Sequence, residues 1–207
     1  MIKNKTRRLL IATHNPGKAA EYAEILEDSR IEWLSLDDVG ITFDVEENGA
    51  TFYENAALKA VAYARQSGML TLADDSGLEV DALGGKPGVL SARYGGPGLS
   101  SADRYHLLLN ALAGVPEVDR TARFRCVIVL ASGDGTILGS ADGVCEGQIA
   151  FEPRGEGGFG YDPVFYLPGR GVTMAQLPAA EKNRISHRGR ATHSIGPRLR
   201  RTLRELE

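Results

Sequence analysis

The sequence predicts an α/β fold, and three observations carry that prediction. The chain opens as strand, loop and helix. A second helical pattern leads into a buried apolar stretch, and two long β-type segments precede a helical C-terminus. Patterns mixed in this way imply a sheet covered by helices. At 207 residues the chain fits one domain, or one domain with two lobes, long enough to bury an ample core without disulfides or metal staples.

Taken in order, Arg8-Leu9-Leu10-Ile11-Ala12 reads as a buried strand and Thr13-His14-Asn15-Pro16-Gly17 as a turn. Ala19, Tyr22, Ala23 and Leu26 then share one side of a helix from Lys18 to Glu27. A short strand follows near Ile31 to Leu34. Thr51 to Arg65 is a second helix, with Thr51 and Glu54 as a capping box. Met69-Leu70-Thr71-Leu72 is a short strand whose exit carries Ala73-Asp74-Asp75-Ser76-Gly77. Two glycine clusters, at 84–88 and 95–98, bracket Ser91, Arg93 and Tyr94. Ser100 to Leu112 is a third helix. Thr121 to Ala131 is rich in Val, Ile and Phe, and after the Gly133-Asp134-Gly135 turn Thr136 to Ala141 completes a hairpin. Residues 155–161 form a glycine-rich loop with two aromatics. Glu181 to Glu207 is mostly helical, with a kink or restart expected at Gly196-Pro197, because an interior proline costs roughly 3 kcal/mol.

Composition narrows the function. A net charge of −3 and a pI near 5.9 do not recruit nucleic acid, so an anionic ligand must be held by local Lys and Arg together with a metal. Cys126 and Cys145 lack metal-ligand spacing, and two thiols in a domain of this size fit a reducing cytoplasm. The basic segment Met1 to Arg8 lacks the apolar core of a signal peptide. No stretch approaches the ~20 apolar residues of a membrane span.

Five clusters can carry chemistry. Asp74-Asp75 is the first: burying one ionised carboxylate costs several kcal/mol unless a cation offsets it, and a divalent metal would resolve the repulsion between two. The second is Thr13-His14-Asn15-Pro16-Gly17-Lys18, which offers hydroxyl, amide and ammonium donors at a strand-to-helix junction, where phosphate oxygens bind well. It does not match the P-loop spacing. His14 reads as a positional donor rather than a metal ligand. The third joins Asn55 and Lys59, i, i+4 on one helix face, with Glu46 and Glu47 upstream. The fourth is Gly157-Gly158-Phe159-Gly160-Tyr161-Asp162-Pro163, where an aromatic between glycines can lie flat on a base, worth roughly 1–3 kcal/mol. The fifth is the basic cluster from Glu181 to Arg190; Arg190 and the later arginines read as a solvated helix end.

Together the segments ATHNPGK, TFYENAALKA, ADDSGLEVDALGGKPGVLSARY, GGFGYDPVF and EKNRISHRGRA resemble the Ham1/inosine triphosphate pyrophosphatase family, in order and from about Leu9 to Ala191. The resemblance implies an elongated two-lobed α/β fold with a central mixed β-sheet flanked by helices and a nucleotide cleft between the lobes. It implies a homodimer and a Mg²⁺-dependent hydrolysis of ITP, dITP and XTP to the monophosphate and pyrophosphate. By that likeness Thr13, Asn15 and Lys18 meet the triphosphate, within a binding loop that includes His14, Pro16 and Gly17. Lys59 lies near the phosphates and the acids. Asp75 is the general base and a metal contact, with Asp74 beside it, and the upstream metal ligand is Glu46 or Glu47. Ser76 touches the substrate. Phe159 stacks on the base in a loop with Gly160 and Tyr161, and Asp162 helps hold it. Lys182, His187 and Arg188 line the base and sugar side. The chain departs from the family at Leu90, where an aromatic is common, and at Gly196-Pro197.

Two other readings stand beside this one. A Maf-like pyrophosphatase would act on other modified nucleotides, and the GGFGYDP and EKNRISHR segments argue against it. A nucleotide-binding module without turnover would not need Lys59, Asp74 and Asp75 together. Neither a membrane nor stable nucleic-acid binding is expected.

Overall fold

In a computed structural model, which describes residues 7–26 and 31–205, a seven-stranded sheet runs in the order β2-β1-β3-β4-β5-β6-β7. Its strands are β1 (Arg7–Ile11), β2 (Ile31–Leu34), β3 (Thr71–Val80), β4 (Thr121–Ala131), β5 (Ile137–Ile149), β6 (Phe165–Leu167) and β7 (Val172–Thr173). The helices are α1 (Pro16–Ile25), α2 (Phe52–Ser67), α3 (Ser101–Ala111), α4 (Ala179–Ile185) and α5 (His187–Glu205). β1 pairs parallel with β2 and with β3, whereas β5–β6 and β6–β7 are antiparallel, so the sheet is mixed. The expectations for Met1–Thr6, Glu27 and Glu207 fall outside the described residues.

The chain divides into two compact units. The first comprises Met1–Asp75, Cys126–Gly143 and Gly189–Glu207, and the second Ser76–Arg125 and Val144–Arg188. In the first unit, Leu9, Ile11, Tyr22, Leu72, Ile128 and Leu130 form a core that Ala191, Ile195, Leu199 and Leu203 of α5 complete. In the second, Leu78, Val80, Leu108, Leu112, Phe124, Ile149 and Phe165 form another. Arg120, only 2% exposed, staples the second unit: its guanidinium donates to the carbonyls of Leu112, Ile149 and Ala150. Nothing in the local sequence pattern announces that role.

Three elements differ from the sequence expectation. The acidic pair is not at a strand exit, because β3 continues through it to Val80. β3 lies between β1 and β4 in the sheet, so pairing persists on one side after β1 ends. β5 runs to Ile149, well past Ala141. Its sequence, ILGSADGVCEGQI, is glycine-rich and weak in β-branched residues, and its sheet neighbours rather than its own propensity sustain it. The last helical region breaks at Ser186, where the backbone turns extended, and α5 passes through Pro197. Four apolar side chains at four-residue spacing, Ala191 to Leu203, are buried there. Burial at ~1.5–3 kcal/mol for each of the large ones outweighs the roughly 3 kcal/mol of the proline.

Candidate active site

In the first unit, the register Ile11↔Leu72 carries β3 past the C-terminal end of β1, to the level at which the chain leaves for α1. Ligands of parallel α/β sheets bind beyond these strand ends. Asn15 caps α1, its Oδ1 accepting from the N–H groups of Gly17 (2.9 Å) and Lys18 (3.2 Å), and Pro16 occupies the first helical turn. This explains why the helix starts two residues before Lys18. Thr13 Oγ1 accepts from the Asn15 N–H. His14 is exposed and faces the Phe43 carbonyl and the Asp44 carboxylate.

Consecutive strand residues face opposite sides, and the two acids have separate partners. Lys18 Nζ donates to Asp74 Oδ2 at 2.9 Å, and Asp74 is 2% exposed. Asp75, 5% exposed, accepts from Asn55 Nδ2 at 3.0 Å and lies 3.8 Å from Lys59 Nζ. Asn55 and Lys59 thus meet the same carboxylate, as their i, i+4 spacing on α2 predicts. Lys59 Nζ also donates to Glu47, whereas Glu46 is exposed. The irregular segment bearing both glutamates is tied down at its two ends. Tyr63 accepts from the Val45 N–H and donates to the Phe43 carbonyl, and Gly49 N–H donates to Asn55 Oδ1. A Cβ on Gly49 would sit 2.7 Å from that Oδ1, so no other residue fits without displacing Asn55.

Burial pushes the Asp75 carboxyl above its ordinary value, although Lys59 and Asn55 pull the other way. Burial would lower Lys59, yet Asp74, Asp75 and Glu47 together hold its ammonium above the ordinary lysine value. Two lysines face three acidic side chains in this cluster. Glu47 and Asp75 are hard oxygen donors sharing one cation, Lys59. Among the described residues no group of three or more His, Cys, Asp and Glu side chains could hold a metal ion. The carboxylates of Glu47 and Asp75 are donors of the kind a magnesium ion takes, which commonly binds one or two carboxylates and fills its shell with waters and substrate phosphates.

A second cluster forms in the other unit. Asp162, 3% exposed, accepts from Lys182 Nζ at 2.6 Å and from the Phe159 N–H at 2.8 Å. Lys182 Nζ lies 4.6 Å and the Arg188 guanidinium carbon 5.4 Å from the centre of the Phe159 ring. Arg188 also donates to Ser76 Oγ at 3.0 Å. Gly158 has φ +72, and a Cβ there would come within 2.1 Å of Asp162 Oδ2, so the glycine is what lets the loop close on the carboxylate. His187 stacks on Phe124 with centroids 4.7 Å apart. Tyr161 is buried in the core of this unit and donates to the Ser91 carbonyl, and burial raises its phenol. That makes Tyr161 a support for the loop. Ser91 Oγ in turn accepts from the Leu78 N–H and donates to the Gly88 carbonyl.

The chain therefore offers an acid–ammonium cluster with a phosphate-type loop, and an aromatic ring with two cations and a carboxylate. A model of the Ham1 family matches residues 9–197. The dITP/XTP pyrophosphatase of Methylococcus capsulatus is 50% identical over 197 residues, covering 94% of this chain and 96% of that protein. The dITP/XTP pyrophosphatase of Geobacillus kaustophilus is 51% identical over 185 residues, covering 89% and 90%. The solved structure of a HAM1 protein from Coxiella burnetii matches with a TM-score of 0.85 at 43% identity, covering 94% of this chain and 99% of that one.

Proposed function

The chain belongs to the Ham1 family, and from that premise we infer that it is a nucleoside triphosphate pyrophosphatase. It hydrolyses the deaminated purine nucleotides ITP, dITP and XTP to the monophosphate and pyrophosphate, and so clears them from the nucleotide pool. The observation on this chain that carries the reading is the setting of Asp75: a buried carboxylate flanked by Asn55 and Lys59, with Glu47 on the same lysine.

Lys18 and Lys59 bind the triphosphate, and the Thr13–Lys18 loop orients it. Glu47 and Asp75 hold Mg²⁺, and of the two upstream glutamates Glu47 is the one that reaches the cluster. When bound, the metal supplies positive charge to the phosphates. Asp75, its carboxyl raised above the ordinary value by burial and held by Asn55, takes the proton from the attacking water at its carboxylate. Asp74 acts on Lys18 rather than on the water.

Phe159 stacks on the purine, and Asp162, Lys182 and Arg188 surround its edge. Hypoxanthine and xanthine present a 6-oxo acceptor where adenine presents a 6-amino donor. Fixed cationic donors such as Arg188 and Lys182 then leave adenine with opposed groups, and sites of that kind discriminate by roughly 10⁴-fold or more. The enzyme acts as a homodimer in the cytoplasm. The dimer rests on the family resemblance, and the location on two cysteines outside any disulfide, as a reducing compartment keeps them.

A substrate panel tests this reading. With Mg²⁺, kcat/KM for ITP, dITP and XTP exceeds that for ATP and UTP by at least about 10²-fold. UTP or a methylated pyrimidine triphosphate outpacing ITP would point to Maf-like specificity instead.

A further inference from the structure

Asp74 has a second set of partners that its pairing with Lys18 does not explain. The Cys126 thiol, on β4, donates to the same carboxylate oxygen, Asp74 Oδ2, with Sγ at 3.8 Å. Tyr22 OH lies 3.7 Å from that sulfur. The thiol proton is directed to Asp74, and the Tyr22 hydroxyl stands against the same sulfur. Tyr22 and Cys126 are fully buried and Asp74 nearly so. Lys18 and Tyr22 are i, i+4 on α1 and share a face. The helix that starts at the phosphate-type loop is thereby fixed to β3 and β4 through two of its side chains.

We propose that Cys126 and Tyr22 are positioning residues for the triphosphate: the line Tyr22–Cys126–Asp74 sets the direction in which Lys18 holds its ammonium. This rests on Lys18 being a phosphate-binding cation, as stated under the proposed function. An ammonium on a four-carbon stem samples many rotamers, and a carboxylate fixed by a neutral thiol narrows them without adding a competing charge. Cys126 is thus not a reactive thiol, since it is sealed from solvent, and its contribution is direction.

The test is a double-mutant cycle in the full-length enzyme, with ITP and Mg²⁺, reading kcat and KM separately and thermal unfolding alongside. Cys126→Ala and Tyr22→Phe each raise KM about 3- to 10-fold, with kcat changed less than about twofold. In a Lys18→Ala background, which itself raises KM, the same two substitutions have no further effect on KM, because their action runs through Lys18. Tyr22→Phe keeps the ring in the core and serves where Cys126→Ala loosens the fold. If Lys18→Ala raises KM and the second substitutions raise it again by the same factor, they act on packing alone and the proposal is overturned. If Lys18→Ala leaves KM unchanged, Lys18 does not hold the triphosphate, and the proposal falls together with that part of the functional reading.

Discussion

Asp75→Asn lowers kcat for ITP by about 10²–10⁴-fold, the range expected when a general base is removed, while the nucleotide still binds. The amide preserves shape and can still face Asn55 and Lys59. What it loses is the proton acceptor and one charged oxygen for the metal. The variant also separates function from stability. Burial raises the Asp75 carboxyl, so its folded-state value lies above its unfolded one. Such a group favours the fold below the unfolded value, and that contribution is lost as pH rises through the folded value. Above the folded value and without metal, the ionised Asp75 therefore burdens the fold, and there Asp75→Asn leaves the melting temperature unchanged or higher. Calorimetric titration with a non-hydrolysable ITP analogue, together with steady-state rates and melting curves, checks all three parts. Near-normal turnover in the variant would remove Asp75 from the base role.

Lys182→Ala carries the largest expected effect on stability. Lys182 and Asp162 form a buried pair at 2.6 Å, with side chains 6% and 4% exposed. Removing one partner of such a pair leaves an uncompensated charge and costs about 3–5 kcal/mol, which for a chain of this length lowers the melting temperature by roughly 10 °C. Lys182→Met combined with Asp162→Asn removes both charges and recovers most of that loss. Base recognition does not return with it. KM for ITP stays raised in the double variant, because the ammonium donor and the charge of the carboxylate beside Phe159 are gone. Thermal unfolding and KM measured on both variants make the comparison. A double variant with normal KM would show that the pair serves the loop and not the purine.

Much of this site can be read from residue order, because local rules fix it. Asn15 ahead of Pro16 is a helix start, Thr51 with Glu54 closes a capping box, and Asn55 with Lys59 lands on one carboxylate. Those relations depend on neighbours within a turn or so of each other. What sequence reasoning missed depends on distant strands. β3 carries its acids inside the sheet because β4 supports it, and β5 outlasts its weak composition for the same kind of reason. That Glu47 meets Lys59 while Glu46 stays exposed depends on the fold of the 43–49 segment against Tyr63 and Asn55. Pro197 misled because its local penalty is real but smaller than the burial of the α5 face. Arg120 and the Tyr22–Cys126 contact with Asp74 join residues far apart in the chain, so no spacing rule could have found them.

The position of cleavage on ITP separates a pyrophosphatase from a γ-phosphatase. Incubating the protein with ITP and Mg²⁺, and assaying pyrophosphate and orthophosphate separately from the first turnovers, distinguishes attack between the α and β phosphates from attack at the γ phosphate. Pyrophosphate and IMP should appear in equal amounts with no orthophosphate ahead of them. Orthophosphate and IDP as the first products would contradict the account.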